Sequence, residues 1–439
     1  MTRTPVGCSP VRGVAWLGAR RAARSPVRGV AWLAALFAAL VGLAGCVANA
    51  QVSERIPGRT LRIYSSVPLQ GASQVDAVSV LRGARLALDE VHGRIGKYHI
   101  ALETLDDSTV QRGRWDPGQT TVNARRALTD RTTIGYLGDL DSGASAISIP
   151  LLNRAGIAQV SPTATAVGLT SDAAGASPGE PEKYYPTGLR TFARVLPDDA
   201  VQAAVQVKLQ LGAGCSKTYV VNDAEVDGQD AATSFEVAAR FAHLQVVGTQ
   251  TFQPGATDYT PLAVGVAQSG AGCVLISALT ASNAALVTEQ IAAALPRAKI
   301  FGTAGVSDRA FADPDLGGVP YALDSRVLLT VATLSPSAYP ASGRAFYTAY
   351  ARRYGPPPPY AIFGYEAMSL MLNAIDRATD HGRAAVKRSK VVAAIFSTRD
   401  RHSVLGTYSI DRDGDTTLRR YGVYRMIAGR LTFWKAIDA

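Results

Sequence analysis

Segments with the composition of β-strands alternate with segments of helical periodicity along most of this chain, in two successive blocks. In VLRGARLALDEVH, for example, Leu81, Ala84, Leu88 and Val91 recur at close to helical spacing. Such alternation is typical of parallel sheets that helices cover on both faces. A polar stretch, SDAAGASPGEPEKYYPTG, separates the blocks. We therefore predict two α/β lobes, with strands LRIYSSV, HIALETLDD, TIGYLGD and IAQVSP in one and KTYVVND, LQVVGTQTF, CVLISAL and KIFGT in the other.

The first 45 residues differ in kind from this pattern. They carry six arginines and no acidic residue, and an apolar run from Val30 to Leu43 ends in Leu-Ala-Gly-Cys. A basic start, a short apolar core and small residues before a break indicate an export signal. The tetrapeptide resembles a bacterial lipobox, in which Cys46 is lipidated. An ordinary signal peptide with a chance cysteine, or a single membrane anchor, is the alternative.

The charge of the chain argues against nucleic-acid binding. The formal net charge of +10 falls to +4 once the six arginines of the leader are set aside. No dense basic run with interleaved aromatic residues occurs in the remainder, so a nucleic-acid interface has little support. The apolar fraction of 47% is ample for a folded core.

Besides Cys8 of the leader and the lipidation residue Cys46, two cysteines remain, Cys215 and Cys273. Each ends the phrase GAGC just before a β-like run. If these strands are parallel neighbours, their starting ends lie side by side, within reach of a disulfide. An exported location would permit the bond. A pair of buried free thiols is the alternative.

Two turns rich in small hydroxyl residues follow neighbouring strands of the first block, GDLDSGAS and SPTATA. In open parallel sheets, ligands bind where the carboxyl ends of strands lead into helix N-termini. Unpaired backbone N–H groups and a partial positive charge at a helix start favour an anionic oxygen group. The turn NDAEVDGQ would lie opposite in the second lobe. We therefore predict that these turns line a ligand cleft.

Catalytic and metal-binding motifs are missing from the sequence. There is no Walker A motif and no H-E-x-x-H, and the five histidines are scattered. A phosphate cradle would normally bring more glycine and a basic residue. The stretch DRDGD, Asp411–Asp415, lacks the glycine and glutamate spacing of an EF-hand, so we interpret it as a hairpin turn. We predict no enzymatic activity, no cofactor and no metal.

Over residues 60–435 the chain resembles the type I periplasmic solute-binding proteins of the leucine/isoleucine/valine-binding group, the receptors of ABC importers for amino acids and amides. The resemblance rests on phrases in a shared order, among them RGARLALDEV, AGIAQVSPTATA, YVVND, FQPGATDYTPL, IFGYEAMSLMLNAI and LGTYSIDRDGD. It implies two Rossmann-like lobes joined by three crossover strands around a hinged cleft. The implied division is a leader over 1–45, a tether over 46–59, lobe 1 over 60–192 and 331–400, and lobe 2 over 196–327 and 405–439.

The resemblance also implies the binding residues. The family serine that holds the solute carboxylate, together with neighbouring backbone N–H groups, matches Ser142 and Gly143, and the second turn matches Thr163 and Thr165. The rest of the pocket departs from the family. The positions of two tyrosines correspond to Asp76 and Asp227, a further aromatic position to Leu279, and the acid that meets the solute ammonium to Ala304. Asp76 or Asp227 could replace that acid, or the solute could lack an amine.

These observations predict an exported, lipid-anchored protein on the extracellular face of the cell membrane. It would be a monomer that captures a small amino-acid-like or carboxylate-bearing solute and delivers it to ABC permease subunits. The alternative is a ligand-sensing or degenerate surface lipoprotein of the same fold without a transport role.

Overall fold

A computed structural model describes residues 54–439 of the chain. The predicted leader (1–45), its lipidation residue Cys46 and most of the predicted tether lie outside the described residues. Two large sheets organise the rest, and we use lobe 1 and lobe 2 for the parts built around the first and the second sheet. Within residues 54–439, no helix has both the length and the apolar character needed to cross a membrane.

Lobe 1 is built around a six-stranded sheet with the order β2-β3-β1-β6-β7-β8. All neighbouring strands are parallel except β2, which pairs antiparallel with β3. β4 and β5 form a separate small hairpin. The strands of this part are β1 (Thr60–Val67), β2 (Arg94–Ile95), β3 (Tyr98–Asp106), β4 (Ser108–Thr109), β5 (Arg114–Trp115), β6 (Thr133–Leu137), β7 (Ala158–Ser161) and β8 (Phe192–Arg194).

Lobe 2 is built around a seven-stranded sheet with the order β10-β9-β11-β12-β13-β16-β17. Its first five strands are parallel, and the C-terminal pair is antiparallel. β14 and β15 form a second small hairpin. The strands are β9 (Lys217–Asn222), β10 (Gln245–Thr251), β11 (Cys273–Ser277), β12 (Lys299–Gly302), β13 (Val327–Val331), β14 (Arg401–Ser403), β15 (Gly406–Tyr408), β16 (Arg420–Ile427) and β17 (Arg430–Asp438).

Helices cover both sheets, as the alternating pattern predicts. Every residue of β6 and of β11 is buried, as is typical of central parallel strands. The helices are α1 (Gln74–Glu90), α2 (Pro117–Thr129), α3 (Ser142–Asn153), α4 (Asp199–Gly212), α5 (Val226–Phe241), α6 (Thr260–Gln268), α7 (Ala284–Ala294), α8 (Arg309–Ala312), α9 (Ala341–Tyr354), α10 (Ala361–Ala378) and α11 (Arg388–Phe396).

Local sequence signals explain the start of α2 and one close helix crossing. Asp116 caps α2 by accepting a 2.9 Å hydrogen bond from the backbone N–H of Gln119, with a proline in the first turn. Helices α1 and α10 cross at Gly83 and Gly364. A Cβ at Gly364 would lie 2.1 Å from the carbonyl oxygen of Val80, so only glycine allows this approach.

The chain passes between the lobes three times, over residues 195–198, 332–340 and 409–419. The predicted boundary at residues 327 and 331 falls within β13, because the apolar run VLLTV forms a strand of the lobe 2 sheet. The last lobe 2 segment is predicted to start at residue 405, which would place β15 (Gly406–Tyr408) in lobe 2. The structure places it on lobe 1. The Tyr408 hydroxyl donates to Glu366 of α10 at 2.8 Å, which holds the β14–β15 hairpin on lobe 1.

The described end of the predicted tether, Glu54–Arg59, is docked on lobe 1. Ile56 is buried in the core, and its backbone N–H donates to the carbonyl of Val386 at 3.4 Å. The backbone N–H of Arg388 donates in turn to the carbonyl of Glu54 at 3.1 Å. Burial of this single apolar side chain of a polar stretch contributes favourable free energy.

Cys215 and Cys273 lie at the starts of neighbouring parallel strands, β9 and β11, and a disulfide joins them. The bond is at the amino ends of these strands. The polar turns predicted to line the cleft follow the carboxyl ends of the strands, so the disulfide lies at the opposite end of the lobe 2 sheet.

Candidate functional site

A cavity of about 70 Å³ lies between the lobes, where the carboxyl ends of both sheets face each other. Most segments that line it follow a strand: α1 follows β1, the first polar turn follows β6 and the second follows β7. On the other side, α5 follows β9, and short turns follow β11 and β12. Six of the eight binding positions predicted from the resemblance line this cavity, and the two exceptions are Ser142 and Gly143.

Ser142 begins α3, and its backbone N–H donates a 2.8 Å hydrogen bond to Oδ1 of Asp227 in lobe 2. Its hydroxyl oxygen accepts from the backbone N–H groups of Thr165 at 3.1 Å and Ala166 at 3.2 Å. The side chain therefore ties the two polar turns of lobe 1 together. The start of α3, which the sequence assigns to a solute carboxylate, is occupied in this closed form by the Asp227 carboxylate.

Gly143 has a packing role that the sequence does not reveal. A Cβ at this position would lie 2.4 Å from Cζ2 of Trp115. The indole ring thus lies directly against the first turn of α3, and the residue does not line the cavity. Any larger side chain would displace the helix start from its present position.

Thr163 and Thr165 shape the second polar turn. The Thr163 hydroxyl donates to the carbonyl oxygen of Leu140 at 2.6 Å, which joins the second turn to the first. The carbonyl oxygen of Thr165 accepts from the backbone N–H of Asp199 at 2.9 Å, which joins lobe 1 to α4. Both residues line the cavity.

Buried Arg194 binds the backbone of the second polar turn. Its guanidinium donates to the carbonyl oxygens of Ala164 at 3.2 Å and Ala166 at 2.8 Å, and to Asp415 at 2.6 Å. Asp415 ends the stretch DRDGD. In that stretch Oδ1 of Asp411 accepts from three backbone N–H groups, those of residues 413–415, so it forms a turn of the kind predicted.

Helix α5 places two carboxylates on lobe 1, because Asp227 and Asp230 lie one turn apart on the same face. Asp227 meets the start of α3, and Asp230 accepts from the backbone N–H of Val167 at the start of a 3-10 turn. Burial raises the pKa of Asp230 to about 7. Beside this contact, Arg114 of lobe 1 pairs with Glu225 of lobe 2 at 2.6 Å. The lobes are thus held closed by acidic groups of lobe 2.

Asp76 lies in the first turn of α1 and is 8% exposed. No group among residues 54–439 donates a hydrogen bond to its carboxylate, although that carboxylate lines the cavity. Burial, and then the neighbouring Asp308, raise its pKa to about 8. Asp76 is therefore a buried acid facing the cleft without a protein partner.

Leu279 and Ala304 line the cavity but bring no polar side chain to it. The backbone N–H of Leu279 donates to Oδ2 of Asp223 at 2.8 Å. The carbonyl oxygen of Ala304 accepts from the Tyr360 hydroxyl at 3.2 Å, a contact between the lobes. These two positions supply walls and backbone groups where the family has polar or aromatic side chains.

Three acids of the cavity were not singled out from the sequence: Asp141, Asp199 and Asp308. Asp199 is 1% exposed, and its Oδ2 has no hydrogen-bond partner within residues 54–439. Asp308 caps α8 by accepting from the backbone N–H of Phe311 at 2.9 Å. A usable signal was present for Asp141 and Asp308, because each follows within a few residues of a predicted strand end, where ligand sites of parallel sheets lie.

Five carboxylates therefore line the cavity, and its lining includes no lysine, arginine or histidine. Burial, reinforced by neighbouring carboxylates, raises the pKa values of Asp141 and Asp199 well above their ordinary range. Burial also raises the pKa of Asp308 to about 6. In the described part of the chain, no three acidic, histidine or cysteine side chains are grouped as metal ligands would be. The acids are distributed around the cavity.

Comparisons with known proteins agree with the predicted fold of two α/β lobes around a cleft, which is confirmed. A family model described as "Periplasmic binding protein" matches residues 60–430. The chain is 24% identical over 370 residues to a Leu/Ile/Val-binding protein, BraC3, of Rhizobium johnstonii, covering 83% of this chain and 91% of that one.

Two solved structures share the fold. The leucine binding protein LivK of Thermotoga maritima superimposes with a TM-score of 0.73 at 20% identity, covering 86% of this chain and 99% of the other. The branched-chain amino acid substrate binding protein LivJ of Streptococcus pneumoniae, in complex with isoleucine, gives a TM-score of 0.70 at 18% identity, covering 87% and 100%.

Proposed function

Since this chain belongs to the periplasmic binding protein family, a family of binding proteins and not of enzymes, we propose that it captures a small solute between its lobes and delivers it to the permease subunits of an ABC importer. The leader and Cys46 support an exported, lipid-anchored location on the extracellular face of the membrane. Nothing in the site requires a cofactor for this role.

One observation carries the proposal: a single cavity is lined by both lobes at the carboxyl ends of their sheets. A solute bound there contacts lobe 1 through α1 and the polar turns, and lobe 2 through α4 and α5. Contacts to both lobes favour the closed form over the open form, so binding shifts the population toward closure. A permease can then distinguish loaded from unloaded protein by shape.

The solute class expected from the sequence is amino-acid-like or carboxylate-bearing. The amine end of such a solute has support in the cavity, because the Asp76 carboxylate lines it and accepts no hydrogen bond from residues 54–439. A carboxylate end would have to displace Asp227 from the start of α3. An amino-acid-like solute thus remains compatible with the cleft if Asp227 moves.

A second candidate function follows from the same contact. Because Asp227 satisfies the start of α3 from within the protein, the lobes can close without a solute. A surface lipoprotein that senses or displays a closed shape, without a transport role, would have this property.

The test is a thermal-shift screen of the full chain purified in detergent. The panel contains branched-chain and polar amino acids, amides, aliphatic and aromatic carboxylates, and amines. A solute at 100 times its dissociation constant should raise the free energy of unfolding by about 2.7 kcal/mol. Stabilisation by any class, together with a smaller radius of gyration in X-ray scattering, supports solute capture. No response from any class would favour the second candidate.

A further inference from the structure

The geometry points to a small organic cation as the solute, recognised through its ammonium groups by the aspartates of the cavity and not through a carboxylate. This inference rests on the proposed function, because it assigns a chemical class to the solute of the same cleft. Four observations carry it, each independent of the resemblance.

The first observation is that the anion-binding end of the cleft is already occupied. The start of α3 offers its backbone N–H to the Asp227 carboxylate at 2.8 Å, and the next helical start along lobe 1 offers the N–H of Val167 to Asp230. A solute carboxylate would compete with carboxylates that are covalently attached to lobe 2. In the closed form, therefore, neither of these two helix starts remains for an anionic group.

The second observation concerns the acids that lack partners. Oδ2 of Asp199 is fully buried without a hydrogen-bond partner among the described residues, on a side chain that is 1% exposed and lines the cavity. The Asp76 carboxylate, 8% exposed, likewise accepts no hydrogen bond from the described protein. A buried acceptor without a donor is costly, so a donor supplied by the solute would relieve this cost.

The third observation is the one-sided charge of the lining. Asp76 and Asp141 come from lobe 1, and Asp199, Asp227 and Asp308 come from lobe 2, with no basic side chain among the lining residues. Arg114, which pairs across the lobes, is engaged by Glu225 at 2.6 Å. Closing the lobes brings these acidic groups together, which disfavours their charged forms, and a cation between them would favour the charged forms.

The fourth observation is the size and distribution of the site. A cavity of about 70 Å³ holds roughly five or six water-sized groups, comparable to a four-carbon amine or diamine. The carboxylates surround the cavity without forming a group of three suited to a metal ion. An elongated organic cation, with N–H donors at separate ends, matches this distribution better than a point charge.

The inference is tested by titration calorimetry and thermal shift on the full chain in detergent. The probes are 1,4-diaminobutane, n-butylamine, n-butyrate, L-leucine and magnesium chloride. Butylamine and butyrate form a matched pair of similar length and opposite charge. We expect both amines to bind, the diamine more tightly, and Asp199→Asn and Asp76→Asn each to weaken diamine binding about tenfold or more. Asp172→Asn, an exposed aspartate of lobe 1 outside the cavity, should bind as the parent does.

Other outcomes overturn the inference in distinguishable ways. Binding of butyrate or leucine without amine binding excludes a cation but leaves the proposed solute capture intact. Amine binding that is unchanged in both aspartate variants excludes recognition by these acids. Magnesium binding that is lost in Asp199→Asn would replace the organic cation by a metal ion. If Asp199→Asn fails to fold, Asp76→Asn alone decides. The proposed function itself fails only if the broader screen of all solute classes gives no response.

Discussion

The backbone N–H of Ser142 in lobe 1 donates a 2.8 Å hydrogen bond to Oδ1 of Asp227 in lobe 2. This contact places a carboxylate of the protein at the positive end of helix α3, where the macrodipole favours negative charge. Because the two residues belong to different lobes, the bond exists only when the cleft is closed. The same atoms would otherwise be free to hold an anionic group from solution.

Asp227→Ala should shift the equilibrium toward the open form. A hydrogen bond to a charged group contributes about 1.5–3 kcal/mol, so the closed-to-open ratio should fall roughly 10- to 100-fold. The radius of gyration from X-ray scattering should increase. The vacated N–H groups at the start of α3 should also begin to bind butyrate, detectable by calorimetry.

Asp227→Asn is the informative companion, because it keeps the shape and one acceptor oxygen but removes the negative charge. It should open the lobes less than Asp227→Ala does. Asp172→Asn serves as the remote control. If Asp227→Ala leaves both the scattering profile and butyrate binding unchanged, the Ser142–Asp227 contact does not hold the lobes together.

The buried Asp76 carboxyl should make stability depend on pH. Its pKa is raised from the ordinary 3.8 to about 8, by burial and then by Asp308. Between about pH 4 and pH 8 the folded protein retains a proton that the unfolded chain has released, so the free energy of unfolding falls as pH rises through this window.

Asp76→Asn removes this penalty. Relative to the parent, the variant should gain stability on going from pH 5 to pH 8, by an amount on the order of a few kcal/mol. Urea unfolding at the two pH values measures the difference. Asp308, whose pKa is raised to about 6, changes stability in the same sense, so the comparison must be made between variants at each pH. Parallel pH profiles for parent and variant would contradict the assignment.

Reduction of the Cys215–Cys273 disulfide should destabilise lobe 2 without altering the cleft. The bond closes a loop with a sequence separation of 58, which corresponds to about 4 kcal/mol of loop-closure free energy. The melting temperature should fall on adding dithiothreitol, and a Cys215→Ser, Cys273→Ser double variant should be insensitive to the reductant. Solute binding should survive in both cases, since the bond lies at the far end of the sheet. An unchanged melting temperature would mean that the bond contributes little.

The buried ion pair between Arg194 and Asp415, at 2.6 Å, should be critical for the second polar turn. Arg194→Met would leave the carbonyl oxygens of Ala164 and Ala166 and the Asp415 carboxylate without their donor, at a cost of about 3–5 kcal/mol. A double-mutant cycle with Asp415→Asn, followed by chemical unfolding, measures the coupling. Additive losses would show that the two side chains stabilise the fold independently.

Calcium should leave the melting temperature unchanged if DRDGD serves only as this turn.

Local pattern in the sequence was enough to predict the alternating elements and the two lobes. Each of these depends on residues close together in the chain, because helical or strand periodicity is a property of short windows and parallel order follows from alternation. The polar turns were correctly placed at strand ends for the same reason. The family resemblance then supplied the positions that could face a solute.

The character of the cavity was decided by tertiary structure alone. The five acids of the cavity come from segments that are far apart in the sequence, and only the docking of one lobe on the other brings their carboxylates around one space. They are Asp76, Asp141, Asp199, Asp227 and Asp308. Whether the start of α3 faces a solute or the Asp227 carboxylate likewise depends on how α5 meets α3, which no short window encodes. Burial and charge are sums over neighbours distant in the chain, so the electrostatics of this cleft became apparent only once those neighbours were placed.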